Sequence, residues 1–113
     1  MPGTTTREQI PPGTLDLLIL RVLERHQPSH GFGIAEVIRQ LSEDILQVEE
    51  GSLYPALQRM LLKGWIEGEW AKTADNRRAR YYQLTQLGQA HLKREQARYN
   101  RVSAAIARVL QPV

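Results

Sequence analysis

The fold of this chain is decided by residues 49–88, EEGSLYPALQRMLLKGWIEGEWAKTADNRRARYYQLTQLG. The first part of this stretch has the apolar spacing of a helix that seats one face on a core. The second part is rich in aromatic, branched and basic residues and indicates two strands joined by a polar loop. The apolar positions of the helix are Leu53, Ala56, Leu57, Met60 and Leu61.

The limits of this helix are indicated by Pro55 and Gly64. A proline is accepted in the first turn of a helix, where its missing amide hydrogen has no partner to lose, so we expect a start near residues 50–52. Gly64 follows a last turn that contains Lys63, and a glycine there suits a left-handed C-terminal stop. The sequence therefore predicts a short helix with sharp ends.

The two predicted strands are residues 65–70 and 80–85, and the loop between them carries Arg77 and Arg78. Taken alone, arginines in a turn are most simply a solvated loop. Beside a helix with polar and basic side chains, however, they match what DNA requires, a rod for the major groove and cations for the phosphates. The order of elements is that of a winged helix-turn-helix.

The region before residue 49 predicts two further helices. Residues 1–10 are polar without periodicity, and we expect a flexible arm. Thr14 is the expected N-cap of a first helix that is apolar nearly all round, so that one side faces the core and another needs a partner. A second helix is predicted over residues 31–41, with His30 as a cap or a turn histidine. Residues 42–49 hold one short extended stretch that we expect to pair with the ribbon.

A long helix is predicted from Thr85, its N-cap, to about residue 110. About 25 residues at 1.5 Å each span roughly 37 Å, more than a small domain covers. Packing on the chain's own domain is the simpler alternative, but this length favours contact with a second chain. The apolar seam of this helix consists of Leu92, Tyr99, Val102, Ile106 and Val109.

Composition narrows the classes of function. The chain has 113 residues and a net charge of +3, which suit one domain and an anionic partner. It has no cysteine, and its three histidines have no ligand spacing, so we expect no metal site and no cofactor. No Ser, His and Asp set has the spacing of a catalytic site, so we expect no enzyme. Without an apolar span or a secretory signal, we expect a cytoplasmic protein that does not contact membranes.

Five blocks of the sequence are distinctive: PGTLDLLIL (12–20), HGFGIAEVI (30–38), VEEGSLYPALQRM (48–60), KGWIEGEW (63–70) and NRRARYYQLT (76–85). Together they resemble the PadR family of bacterial transcriptional regulators, in the short form with a single C-terminal helix. Phe32, where tyrosine is common, is one minor departure. The resemblance implies a repressor that acts as a homodimer, with most dimer contacts made by the C-terminal helices. It also allows a small lipophilic or aromatic effector in an apolar dimer cavity lined by Leu15, Leu18 and Tyr99.

The resulting prediction is a mainly α fold with a small β-ribbon, divided into the arm 1–10, a winged helix-turn-helix domain 11–85 and a dimerisation helix 86–113. We expect it to bind a double-stranded DNA operator with inverted-repeat symmetry. An effector-binding sensor, or an adaptor that acts through protein contacts, is the alternative. Candidates for the major groove are Ser52, Tyr54, Gln58 and Arg59, and candidates for the DNA backbone or minor groove are Lys63, Asn76, Arg77, Arg78 and Arg80. Expected dimer contacts are Leu15, Leu18, Leu92, Tyr99, Val102, Ile106 and Val109.

For Tyr54, two interpretations stay open at this point: a hydroxyl that reaches a phosphate, or a core tyrosine.

Overall fold

The computed structural model describes residues 7–112 as four helices and five strands. The helices are α1 (Leu15–Arg25), α2 (Gly31–Leu41), α3 (Glu50–Leu62) and α4 (Gln86–Leu110). The strands are β1 (Glu8–Gln9), β2 (Ser29–His30), β3 (Leu46–Gln47), β4 (Ile66–Lys72) and β5 (Arg78–Leu84). The predicted class, mainly α with a β-ribbon and a long C-terminal helix, is confirmed.

The core lies where α1, α2 and α3 meet the base of the β4–β5 ribbon and the start of α4. α1 runs through the centre, which accounts for its apolar character on more than one side. The largest fully buried side chains are Ile19, Leu20, Leu23, Ile34, Leu53, Leu57, Met60 and Leu92.

Several local signals set the helix ends as predicted. His30 caps α2, since its Nδ1 accepts a hydrogen bond from the Gly33 amide at 3.0 Å. Thr85 caps α4 in the same way, accepting from the Gly88 amide at 3.0 Å. Gly64, with φ +76°, is the left-handed stop after α3.

α1 and α3 begin where they are predicted to begin, but one side chain at the start of each helix differs from the expectation. Thr14 is at the N-cap of α1, but its hydroxyl donates to the Pro11 carbonyl at 2.6 Å and does not cap the helix. α3 begins at Glu50, within the predicted range 50–52, and Pro55 therefore lies in its second turn and not in the first turn as expected. A proline there cannot donate the amide hydrogen bond that a regular helix makes to the Gly51 carbonyl.

Strand pairing also differs from the prediction. The extended stretch after α2, β3, pairs in parallel with β1 and not with the ribbon. The ribbon gains its third strand from β2, which pairs antiparallel with β5. The arm predicted over residues 1–10 is therefore wrong at its C-terminal end. Residues 8–9 form a strand there, and Arg7 forms an ion pair with Asp44 at 3.1 Å. Residues 1–6, the rest of the expected arm, lie outside the described residues.

Candidate nucleic-acid interface

The exposed face of α3 carries the four residues predicted to face the major groove. Its opposite face holds Leu53, Ala56, Leu57 and Met60, all buried against the core. Packing on that side turns the polar side outward as a rigid surface. The exposed residues are Ser52, Tyr54, Gln58 and Arg59.

Arg59 is held in place by α1. Its Nη2 donates to Oδ1 of Asp16 at 3.0 Å, and both side chains remain partly exposed. A surface ion pair of this kind contributes only ~0–1 kcal/mol, so a contact of Arg59 with an acceptor on DNA is able to replace it. Asp16 lies in the first turn of α1, where an acidic side chain is favourable, and it also orients a side chain on the exposed face of α3.

Tyr54 is not a core residue. Its ring lies against Gly31 at the start of α2, where an added Cβ would fall 2.8 Å from Cε1. Nevertheless 46% of the residue is exposed. Packing against Gly31 restricts the rotamers of the ring, and the exposed part of Tyr54 remains open to a contact beside α3.

The tip of the ribbon is a tight turn closed by Thr73 and Asn76. The Thr73 amide donates to the Arg77 carbonyl at 2.7 Å, and the Asn76 amide donates back to the Thr73 carbonyl at 3.0 Å. Asn76 has φ +66°, a conformation that asparagine tolerates better than most residues. This backbone role accounts for Asn76 at the tip. The side chain of the adjacent Arg77 is 84% exposed, and its Nε lies 3.6 Å from Oδ2 of Asp75.

The two faces of the ribbon carry opposite charge. Directly paired residues of antiparallel strands share a face, and Ile66–Leu84 and Gly68–Tyr82 are on the side toward the core. The same side carries two pairs farther toward the tip, Trp70–Arg80 and Lys72–Arg78. The other side carries Glu67, Glu69, Ala71, Ala79, Tyr81 and Gln83. The core-side face of the ribbon, which α3 also adjoins, is therefore the basic one.

Sequence reasoning grouped the arginines of the wing but did not find this division. The signal was present as a period-two alternation, in which Glu67 and Glu69 alternate with Gly68 and Trp70. Lys72, which was not selected as a contact, belongs to the basic face.

Aromatic rings hold two of the predicted contact cations. The Arg78 guanidinium lies 4.9 Å from the centre of the Trp70 ring, and the Lys63 ammonium lies 4.7 Å from the Trp65 ring. Lys63 is at the base of the ribbon, whose seven-residue strands span roughly 20 Å, so it does not join the tip arginines. The predicted backbone contacts thus form two groups, one at the base and one toward the tip.

The predicted dimer contacts also separate into groups. Leu92 is only 1% exposed and packs in the chain's own core, so its assignment to an interface is corrected. Leu92 is buried because it lies near the start of α4, in the part of the helix that packs on α1. Leu15 and Leu18 are half-buried, and Leu15 lines a cleft of about 220 Å³ with Ile10 and Val48. Leu18 and Tyr99 are not among the residues that line this cleft.

The distal half of α4 leaves the domain. Of residues 97–110, all are exposed except the half-buried Ser103. The remaining seam residues there are large apolar side chains that nothing in the described part of the chain covers. They are Tyr99, Val102, Ile106 and Val109, with exposures of 48, 46, 53 and 82%.

Among residues 7–112, no helix combines the length and apolarity that crossing a membrane requires.

Three solved structures share this architecture. A transcriptional regulator from Clostridium thermocellum is similar in fold, with a TM-score of 0.79 at 24% identity over 88% of this chain and 95% of that one. A PadR-like transcriptional regulator from Bacillus cereus has a TM-score of 0.74 at 26% identity, over 89% and 95% of the two chains. A PadR family transcription regulator from Clostridium difficile has a TM-score of 0.74 at 29% identity, over 88% and 100%.

Sequence comparison leads to the same group. A Lysinibacillus sphaericus protein named "Uncharacterized protein X" is 34% identical over 87 residues, which are 76% of this chain and 78% of that protein. The model of the "Transcriptional regulator PadR-like family" matches residues 19–94, well over half of the chain. Members of this family are transcriptional regulators and not enzymes, in agreement with the sequence prediction. From fold, interface geometry and family match together, the chain belongs to the PadR-like family of transcriptional regulators.

Proposed function

We propose that this protein is a sequence-specific DNA-binding repressor that acts as a homodimer on an inverted-repeat operator. In this function α3 enters the major groove, and the basic face of the ribbon contacts the sugar-phosphate backbone or the minor groove. Such a regulator acts where the chromosome is, so we place it in the cytoplasm.

The proposal is carried by two partly exposed surfaces on elements that contact each other, the polar face of α3 and the basic face of the ribbon. The polar face of α3 turns away from the core, and the cations Lys72, Arg78 and Arg80 lie on the core-side face of the adjoining ribbon. The carboxylates Glu67 and Glu69 are on the far face. A duplex that contacts α3 would meet cations on the near face of the ribbon, where phosphates require them.

The dimer is supported by the distal half of α4. Its exposed residues Tyr99, Val102, Ile106 and Val109 alternate in steps of three and four, which is the spacing of a two-helix seam. Exposed apolar stripes of this kind are uncommon on monomers and mark contact surfaces. A twofold dimer would present two copies of α3 to equivalent half-sites, which is the reason for an inverted repeat.

A small lipophilic or aromatic effector remains part of the proposal, at a cavity completed by the second protomer near Leu15, Leu18 and Tyr99. Its support is that Leu15 and Leu18 of α1 are only half-buried and that 48% of Tyr99 of α4 is exposed, so all three leave apolar surface for a second protomer to cover. An effector would act by favouring one spacing of the two α3 helices over another.

Footprinting on DNA that contains the binding site tests the proposal. We expect two protected half-sites related by twofold symmetry, about one or more helical turns apart, and an affinity that falls steeply with salt. A mobility-shift titration on unrelated duplex DNA supplies the control for sequence preference. An adaptor that acts through protein contacts alone would bind neither DNA, and a single asymmetric footprint would exclude the dimeric geometry.

A further inference from the structure

Gly68 leaves a slot on the basic face of the ribbon, and the Arg80 side chain fills it. A Cβ at position 68 would fall 2.5 Å from Nε of Arg80, 3.2 Å from Cζ and 3.3 Å from Cδ. Arg80 is paired across the ribbon with Trp70, and Gly68 with Tyr82. The Arg80 side chain therefore runs diagonally toward the base of the ribbon and the core, away from the tip.

The slot confines the guanidinium of Arg80. Its Nε is buried and has no hydrogen-bond partner within residues 7–112, although the residue as a whole is only half-buried. The exposed part of the side chain is therefore made of its other atoms. Arg59 and Arg77 each face an aspartate, whereas Arg80 has no carboxylate partner in the described part of the chain.

The neighbours of Arg80 place it at the junction of the ribbon and α3. Burial raises the pKa of the Tyr82 hydroxyl, the Arg80 charge lowers that pKa by less, and Tyr54 of α3 raises it further. Arg80 and Tyr54 are therefore each within electrostatic reach of the Tyr82 hydroxyl. Arg80 is thus a cation held against Gly68 on the core-side face of the ribbon, with its Nε buried.

We infer that Gly68 is a positioning residue for DNA binding, because its missing side chain lets the ribbon hold the Arg80 guanidinium ready for a phosphate of the duplex. This inference rests on the proposed function. The physical reason is conformational entropy: an arginine that is already confined loses fewer rotamers when it binds. A side chain at position 68 would not remove the charge, but it would displace it from the slot.

A double-mutant cycle on DNA binding tests the inference with Gly68→Ala, Arg80→Ala and the two combined. Alanine at position 68 conflicts with a flexible side chain and not with backbone, so the ribbon should remain folded while Arg80 moves. We expect Gly68→Ala alone to weaken binding about two- to tenfold, the usual range for ordering one long side chain. In the Arg80→Ala background it should change nothing further.

Arg78→Ala is the matched control, since Arg78 is on the same strand and face but stacks on Trp70 and does not occupy the slot. The effects of Gly68→Ala and Arg78→Ala should add, because the two sites do not share a side chain. Circular dichroism and urea unfolding of every variant establish that the compared proteins are folded.

The outcomes separate the inference from the proposed function. If the wild-type protein shows no salt-dependent DNA binding, or if Arg80→Ala leaves affinity and salt slope unchanged, the DNA contact itself is refuted. If Arg80→Ala weakens binding and lowers the slope by about 0.9 but Gly68→Ala binds like the wild type, only the role of Gly68 is refuted. A Gly68→Ala effect that persists without Arg80, or a Gly68→Ala protein that does not fold, would also overturn it, because Gly68 would then act on the fold.

Discussion

Arg59 of α3 donates a hydrogen bond of 3.0 Å to the carboxylate of Asp16 of α1. One of the cations of the proposed DNA interface is therefore already paired with a negative charge of the same chain. The pair orients Arg59, but it also opposes the approach of phosphates. The hydrogen bond uses one of the five N–H donors of the guanidinium, so a DNA contact through another donor would still bring a phosphate close to the Asp16 carboxylate.

Asp16→Asn should therefore strengthen binding to random duplex DNA. The change removes a negative charge beside the interface and frees Arg59, and the exposed ion pair that it removes contributes at most about 1 kcal/mol, or roughly fivefold in affinity. Fluorescence anisotropy with labelled DNA measures the effect. Glu95→Gln, which removes the partner of Arg98 on α4, is the control and should leave the affinity unchanged. Weaker binding by Asp16→Asn would mean that orientation of Arg59 matters more than its release.

The wing and the helix should differ in how their substitutions affect binding. Arg77→Ala combined with Arg78→Ala should weaken binding to operator and random DNA alike, and reduce the salt slope by about 0.9 for each phosphate that the variant no longer neutralises. Gln58→Ala should act mainly on operator preference, by about 1 to 3 kcal/mol if the amide contacts a base edge. The reason is that phosphates repeat along any duplex, whereas base edges differ. Titrations of both variants on both DNAs across a salt series measure these differences. If the double wing variant keeps the affinity and the salt slope of the wild type, the tip of the ribbon is only a solvated loop.

Ile106→Glu should convert the protein into a folded monomer. Ile106 is 53% exposed on the part of α4 that projects from the domain, so the substitution spares the core of a single chain. In a dimer seam, an unpaired buried carboxylate costs several kcal/mol, on the order of 3 or more. Light scattering measures the mass, and Arg108→Gln on another face of α4 is the control. A wild-type protein that is already monomeric at micromolar concentration would contradict the seam.

Gly88→Ala should destabilise the fold. A Cβ at position 88 would lie 2.0 Å from the Trp65 carbonyl oxygen, which is backbone and cannot rotate away, so α4 would have to shift. Such overpacking costs about 1 to 3 kcal/mol, measured as the free energy of unfolding in urea. Gly51→Ala is the matched control, because space is open around that helical glycine and alanine favours helix by up to about 1 kcal/mol. Equal stability of the two variants would show that α4 moves at little cost.

Glu24 should make stability depend on pH. A hydrogen bond from Gln89 of α4 lowers the pKa of the Glu24 carboxyl, with burial opposing and Arg21 adding to the effect. A carboxyl whose pKa is lower in the folded state contributes stability above its unfolded pKa of about 4.5 and loses that contribution as the pH falls through the folded value. Glu24→Gln should therefore flatten the acid side of a plot of unfolding free energy against pH. Asp44, whose pKa Arg7 and Arg39 also lower, should keep part of the slope. An unchanged slope would show that the link between α1 and α4 does not persist in solution.

Much of the architecture could be predicted because its signals are local. The bounds of α2, the left-handed stop at Gly64 and the Thr85 cap of α4 depend on residues within one or two turns of each other. Apolar periodicity likewise identified the buried face of α3, and with it the outward side that carries Gln58 and Arg59. Such signals survive in a single sequence because helix caps and amphipathic faces involve neighbours in the chain.

Only the tertiary structure decided which surfaces meet. Periodicity shows that Leu92 belongs to the apolar face of α4. It does not show whether that face packs on the core of the same chain or on a second chain. In the structure, the core of the same chain buries Leu92. The same reason explains why β3 pairs with β1 and not with the ribbon, and why Asp16 holds Arg59 from 43 residues away. A side chain's own sequence neighbours determine the direction in which it points, whereas its partner is selected by the packing of all elements at once. The slot between Gly68 and Arg80 belongs to this second kind, because it exists only after the two strands are in register.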